Sequence, residues 1–120
     1  MSATDYFARI GTIRIATERR DGGEAVTPIW GVVVDGVPYI RSGYGERSKW
    51  YQRVQHTGRA AFIDGPRRYA ARIENVGDEH TRHQVDDAYR AKYRGQGAAL
   101  DQVVSRQVRA YTMRVILRDE

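Results

Sequence analysis

The stretch "IATERRDGGEAVTPIWGVVVDGVPYIR", residues 15–41, sets two Asp-Gly pairs, Asp21-Gly22 and Asp35-Gly36, between segments of β-branched and aromatic residues. Glycine supplies the positive φ of a tight turn, and aspartate tolerates the left-handed region better than most residues, so each pair predicts a hairpin. A third pair, Asp64-Gly65, repeats the pattern downstream. Strands are expected on both sides of every turn. Tyr111, Met113, Val115 and Leu117 alternate with Thr112, Arg114, Ile116 and Arg118, the period of two of a strand with one buried face. Tyr69, Ala71 and Ile73 alternate in the same way with Arg68, Arg72 and Glu74. The run from Val26 to Val34 is more continuously apolar, and Pro28 inside it marks an edge, a bulge or a strand start because proline cannot donate to a ladder.

Three stretches read as helical. Residues 46–56 bring Trp50, Tyr51 and Val54 together at helical spacing, with polar residues around them. Asp78 can cap a second helix that carries Val85, Ala88, Tyr89 and Tyr93 on one side and stops near Gly95. Leu100, Val103 and Val104 form a further turn or two. The order predicts a mainly β fold with flanking α: an antiparallel barrel of six strands with two or three short helices, in one domain over residues 1–120. Closure removes the edges that an open sheet of that size would expose.

Composition narrows the functional classes. Lys and Arg number 20 against 15 Asp and Glu, for a net charge of +5 and a pI near 9.8. The cations, nearly all arginine, are spread from Arg9 to Arg118 and interleaved with acids, which argues against the concentrated footprint of a nucleic-acid binder. No cysteine is present, which excludes disulfides, thiolate metal sites and cysteine nucleophiles. No apolar run reaches a membrane span, and the N-terminus lacks the basic and apolar regions of a signal peptide, so the expected location is the cytoplasm. A chain this short buries a modest core, which makes a second copy a natural source of further apolar burial.

Candidate sites are few. "RSGYGERSKWYQR", residues 41–53, runs from a strand end through Gly43-Tyr44-Gly45 into a helix, so backbone N–H groups and the positive helix end converge beside Arg47, Ser48 and Lys49. Such a turn suits a phosphate; it also suits a plain helix entry, and Glu46 puts a negative charge in it. Thr27, Pro28, Ile29 and Trp30 lie on a strand partly free of ladder bonds, as a flat heteroaromatic ring requires, although Trp30 also reads as a core or interface aromatic. His80 and His83 stand three apart with no third ligand at a metal-binding spacing, and His56 suits the C-terminal end of the first helix. No Ser-His-Asp or paired-carboxylate arrangement is evident.

Taken in order, Thr17 to Gly22 ("TERRDG"), Thr27 to Trp30 ("TPIW"), Lys49 to Tyr51 ("KWY") and Arg67 to Arg72 ("RRYAAR") resemble the flavin-binding split-barrel superfamily, the pyridoxamine phosphate oxidase-like proteins. The resemblance covers roughly residues 10–77 and is nearest the deazaflavin-dependent nitroreductase-like branch and its short bacterial relatives. It implies a six-stranded split barrel, a homodimer with cofactor sites at the subunit interface, and FMN or a deazaflavin coenzyme as cofactor. It implies that Thr27, Pro28, Ile29 and Trp30 flank the ring, that Arg41, Ser42, Arg47, Ser48 and Lys49 hold the phosphate, and that Trp50 packs the helix to the barrel. The implied chemistry is hydride transfer to a small electrophilic acceptor. Relatives often carry a basic residue before the proline strand, where this chain has Gly23-Glu24-Ala25-Val26. That departure, with Glu46, supports the alternative of a non-catalytic binding module that has lost the cofactor.

Overall fold

A computed structural model describes residues 2–118. Among them lie four α-helices, two short 3-10 turns and seven strands. In chain order these are α1 (Ala3–Arg9), β1 (Ile13–Glu18), β2 (Glu24–Ile29), β3 (Gly31–Val34), β4 (Val37–Arg41), α2 (Lys49–Thr57), β5 (Arg59–Asp64), β6 (Arg67–Asn75), α3 (Glu79–Lys92), α4 (Gly97–Val103) and β7 (Thr112–Leu117). The 3-10 turns occupy Gly45–Arg47 and Arg106–Tyr111. The fold is mainly β with flanking helices, as expected. Six strands become seven because the apolar run is interrupted, and the break falls at Trp30 rather than at Pro28.

All three Asp-Gly turns form. Val34 pairs with Val37 across Asp35 and Gly36, whose φ values of 50° and 80° are those of a two-residue primed turn. At the third turn the two loop residues are Gly65 and Pro66, since Asp64 pairs with Arg67. The first loop is wider, and the Asp21 Oδ1 atom accepts from the Gly23 N–H at 2.8 Å.

Every strand pair is antiparallel, in the order β2-β1-β5-β6-β7-β4-β3. The two ends of this sheet, β2 and β3, are consecutive in sequence with only Trp30 between them. One residue spans under about 4 Å per step, so the sheet must curl until its ends meet at that point. The result is a barrel closed at Trp30 and split elsewhere. Pro28 sits on the edge strand β2, where a missing N–H is tolerated.

Alternation decides what enters the curl. Ile13, Ile15, Ile29, Ile40, Phe62, Ile73, Met113 and Val115 point inward and are buried, while Arg68 and Arg72 stay outside. Trp50 and Val54 bring α2 onto this core, as expected of Trp50. Helix α1 was absent from the sequence reading. Its signal is a capping box too short to stand out: Ser2 Oγ accepts from the Asp5 N–H, and Asp5 Oδ2 accepts from the Ser2 N–H. Phe7 of α1 meets Phe62 edge-on at 4.7 Å between ring centroids, and the Tyr6 hydroxyl donates to the Ile63 carbonyl.

Helices α3 and α4 cover the outer face of β3 and β4 through Val85, Tyr89, Tyr93 and Val103 against Val32 and Tyr39. Asp78 caps α3 as predicted, accepting from the Thr81 N–H at 2.9 Å. At 14 residues α3 is longer than the short helix expected. Arg41 shares the outer face of β4 with Tyr39, so the same cover buries its guanidinium completely. Its Nη1 donates to Asp86 Oδ1 at 2.5 Å and to the Val103 carbonyl at 3.0 Å; Nε donates to Thr112 Oγ1 and Nη2 to the Arg82 carbonyl. Asp86 Oδ2 lies 3.1 Å from Arg109 Nε, and Arg109 and Arg82 both pair with Glu79. One arginine thereby ties β4, β7, α3 and α4 together.

Removing one partner of a buried pair strands the other charge. Arg41→Met should therefore lower the unfolding free energy by roughly 3 kcal/mol. In urea titrations the double variant Arg41→Met/Asp86→Leu should lose less than the sum of its single changes.

Candidate functional site

The strand break and the basic turn come together at the start of α2. Pro28, Ile29 and Trp30 form one wall of a cleft of about 230 Å³, Gly43, Tyr44 and Ser48 the side nearest the turn, and Ala99, Gln102 and Val103 of α4 the facing wall. The turn is held by its own bonds: Ser42 Oγ donates to the Gly45 carbonyl at 2.7 Å, and Gln102 Nε2 donates to the Gly43 carbonyl at 2.6 Å. Gly45 has φ +62°, and a Cβ there would stand 3.0 Å from the Tyr111 ring. Ser48 is the N-cap of α2, yet its hydroxyl makes no capping bond and is open to another acceptor or donor.

Trp30 is fixed from behind. Its ring stacks on Tyr93 with centroids 4.0 Å apart and planes 9° from parallel. Burial pushes the Tyr93 phenol up to about 12, so the stack is formed by neutral rings at ordinary pH.

A second and larger recess adjoins the first. Glu18, Arg19, Arg20 and Gly22 of the β1–β2 hairpin face Lys49, Gln52, Arg53, His56 and Thr57 of α2 across a groove of about 870 Å³. Lys49, Arg53 and His56 are spaced four and three apart, which puts them on one helix face. Among the described residues, the one carboxylate lining the groove, Glu18, is paired with Arg59 at 3.2 Å, and Arg19 reaches Asp21 only at 3.5 Å. Positive charge thus dominates this recess. Ser48 lines the cleft and Lys49 the groove, so the N-terminus of α2 separates the two.

The residues singled out from sequence divide accordingly. Pro28, Ile29, Trp30 and Ser48 line the cleft, and Lys49 lines the groove. Arg41 reaches the cleft only through its backbone, because its side chain is turned into the ion pair with Asp86. Ser42 is fully buried and bonded within the turn. Thr27, half-buried on β2, and Arg47, exposed in the 3-10 turn, stand outside both recesses. Arg53, His56 and the α4 wall were missed. The spacing from Lys49 could have indicated the first two; nothing local indicates that α4 folds over the turn. No metal-binding cluster occurs among the described residues, and no helix there is long and apolar enough to cross a membrane.

A curled antiparallel sheet with its ends joined at one residue, a cleft at that joint and covering helices is a split-barrel architecture. Solved structures agree. The conserved hypothetical protein Rv2991 from Mycobacterium tuberculosis superposes with a TM-score of 0.74 at 21% identity, over 98% of this chain and 81% of its own. HutZ, the heme storage protein from Vibrio cholerae, gives 0.72 at 12% identity, over 97% of this chain and 87% of its own. An F420-H2 dependent reductase, FDR-A, gives 0.64 at 14% identity, over 87% and 92%. At such identities the likeness is one of fold. The chain itself belongs to the family of uncharacterized proteins conserved in bacteria (DUF2255), whose profile matches residues 4–115. Comparison with curated proteins finds no match.

The groove's charge should be measurable directly. Inorganic pyrophosphate should raise the melting temperature progressively, with the logarithm of its concentration once that exceeds the dissociation constant, and the rise should shrink as sodium chloride is added. Arg20→Ala/Lys49→Ala should abolish most of that rise when followed by differential scanning fluorimetry.

Proposed function

We propose that this protein binds a phosphorylated flavin-type cofactor, FMN or a deazaflavin coenzyme, and serves as a small oxidoreductase. The observation that carries this reading is the adjacency of an aromatic-walled cleft and a cationic groove at one helix N-terminus. A flat ring that ends in an anionic chain needs both, in that order. When bound, such a ring supplies hydride transfer to an electrophilic acceptor.

Each residue then has a task. Pro28 and Trp30 offer apolar surface to the ring, and the uncommitted Ser48 hydroxyl and the first N–H groups of α2 face the start of the anionic chain. Arg19, Arg20, Lys49 and Arg53 neutralise its charge. The groove extends along two turns of α2, longer than one phosphate requires, which favours a cofactor with an extended anionic tail. Glu46 is exposed at the rim and bonded to this region only through its carbonyl, which accepts from Gln52 Nε2. Its charge opposes the anion and is weakened by solvent.

The cleft is open at Pro28 and Tyr44, the latter 68% exposed, and Val26 next along β2 is 47% exposed. A second copy of the chain covering these residues would complete the ring site, so we propose a homodimer as the working form. A second reading, a non-catalytic binding module that has lost the cofactor, draws on Arg41 and Ser42 being committed within the chain and on the lack of a basic residue near Ala25.

Titration with FMN, riboflavin and a deazaflavin coenzyme, followed by absorbance and fluorescence, tests the proposal. Lys49→Ala/Arg53→Ala should weaken FMN by roughly tenfold or more and leave riboflavin, which lacks the phosphate, nearly unchanged. Failure of the wild-type protein to bind any of the three would overturn the cofactor reading. That same failure, in a protein that is still folded, would select the second reading.

A further inference from the structure

The chain between β2 and β3 lies where the sheet ladder stops, so its polar backbone groups need partners from elsewhere. They find them on one helix. The Tyr89 hydroxyl donates to the Trp30 carbonyl at 3.2 Å. The Gly31 N–H donates to the Tyr93 hydroxyl at 3.1 Å. Lys92 Nζ donates to the Gly31 carbonyl at 2.6 Å and, with its other protons, to the Phe7 and Ile10 carbonyls at 2.6 and 2.8 Å. The Tyr93 hydroxyl itself donates to the Gly11 carbonyl at 2.6 Å.

Lys92, Tyr93 and Trp30 form a stack. Lys92 Nζ is 5.1 Å from the centroid of Tyr93, whose ring lies parallel to Trp30. Trp30 presents its remaining surface to the cleft. Gly31 is required there: a Cβ would fall 2.7 Å from Ile13 Cδ1 and 3.1 Å from Phe7 Cδ1, so the strand start is pressed against α1 and β1 while α3 holds it from the other side.

We infer that Tyr89, Lys92 and Tyr93, at the end of α3, are positioning residues that set the plane of Trp30 and thereby the shape of the cleft wall. The geometry is specific to this role. A helix needed only for burial would present apolar side chains, as Val85 does one turn earlier. Here one turn of α3 carries two hydroxyls and an ammonium to three consecutive polar atoms of residues 30 and 31. Lys92 also closes the C-terminal end of α1, so displacement of either helix is transmitted to Trp30. Burial lowers the Lys92 ammonium to about 8, which still leaves it protonated, with three donors for three carbonyls, at neutral pH.

The ligand consequence rests on the flavin-type reading; the wall itself does not. Protein labelled with 5-fluorotryptophan gives one ¹⁹F signal each for Trp30 and Trp50, assigned with Trp30→Phe. Tyr93→Leu and Lys92→Met should each move or broaden the Trp30 signal and leave that of Trp50 in place. They should also weaken FMN by roughly tenfold, because the ring loses contact with a wall that has moved. Val85→Ala, from the same helix and core, should lower the melting temperature without either effect. Tyr93→Phe, which keeps the ring and drops the hydroxyl, should give an intermediate shift and serves if Tyr93→Leu does not fold. An unmoved Trp30 signal in the Tyr93 and Lys92 variants, or an equal shift in Val85→Ala, would overturn the inference. If wild-type protein binds no FMN, the ¹⁹F comparison alone decides it, and the cofactor reading fails separately.

Discussion

One covalent constraint organises this molecule: the two outermost strands of its sheet are joined by a single residue. Seven antiparallel strands paired side by side could lie open, with β2 and β3 far apart. Trp30 forbids this. The sheet has to curl, and the curl creates an interior that Ile13, Ile15, Ile40, Phe62 and Met113 fill. It also creates a joint at which ladder bonding lapses, and a joint of that kind needs outside partners and leaves a recess. Core, clamp and cleft follow from the same connection.

The buried pair of Arg41 and Asp86 serves the opposite side of the construction. A guanidinium removed from water is costly unless each donor finds an acceptor, and Arg41 finds four in β7, α3 and α4. Hydrophobic cover alone would let α3 and α4 slide over β4. Directed, charge-assisted bonds restrict them to one arrangement, and that arrangement sets Gln102 and Ala99 against the turn at Gly43. The arginine that borders the candidate site thus shapes it from beneath, without offering its charge to a ligand.

Much of the site was legible before folding, in a limited sense. Pro28, Ile29, Trp30, Ser48 and Lys49 were identified from local chemistry: a proline that breaks ladder bonding, an aromatic beside it, and a glycine turn that leads into a helix. These features survive because they depend on near neighbours in the chain. Arg41 and Ser42 looked equivalent to Lys49 from sequence, since all are polar residues at one strand-to-helix junction. They differ because strand direction turns Arg41 under α3, while the helix start carries Lys49 away from it to the hairpin. The Asp21-Gly22 pair was read as a turn, but the meeting of Arg19 and Arg20 with Arg53 and His56 requires the hairpin to bend over α2.

The sequence by itself determined the turns, the inward and outward alternation of β6 and β7 and the cap at Asp78, because each is settled by steric and hydrogen-bonding rules acting over a few residues. Only the tertiary structure decided where the apolar run breaks, which arginine is buried, and that Lys92 carries its charge to three carbonyls. Those outcomes depend on which faces are covered once the sheet has closed. The difference between a solvated cation and an interior one is the presence of another element above it, and no local spacing records that.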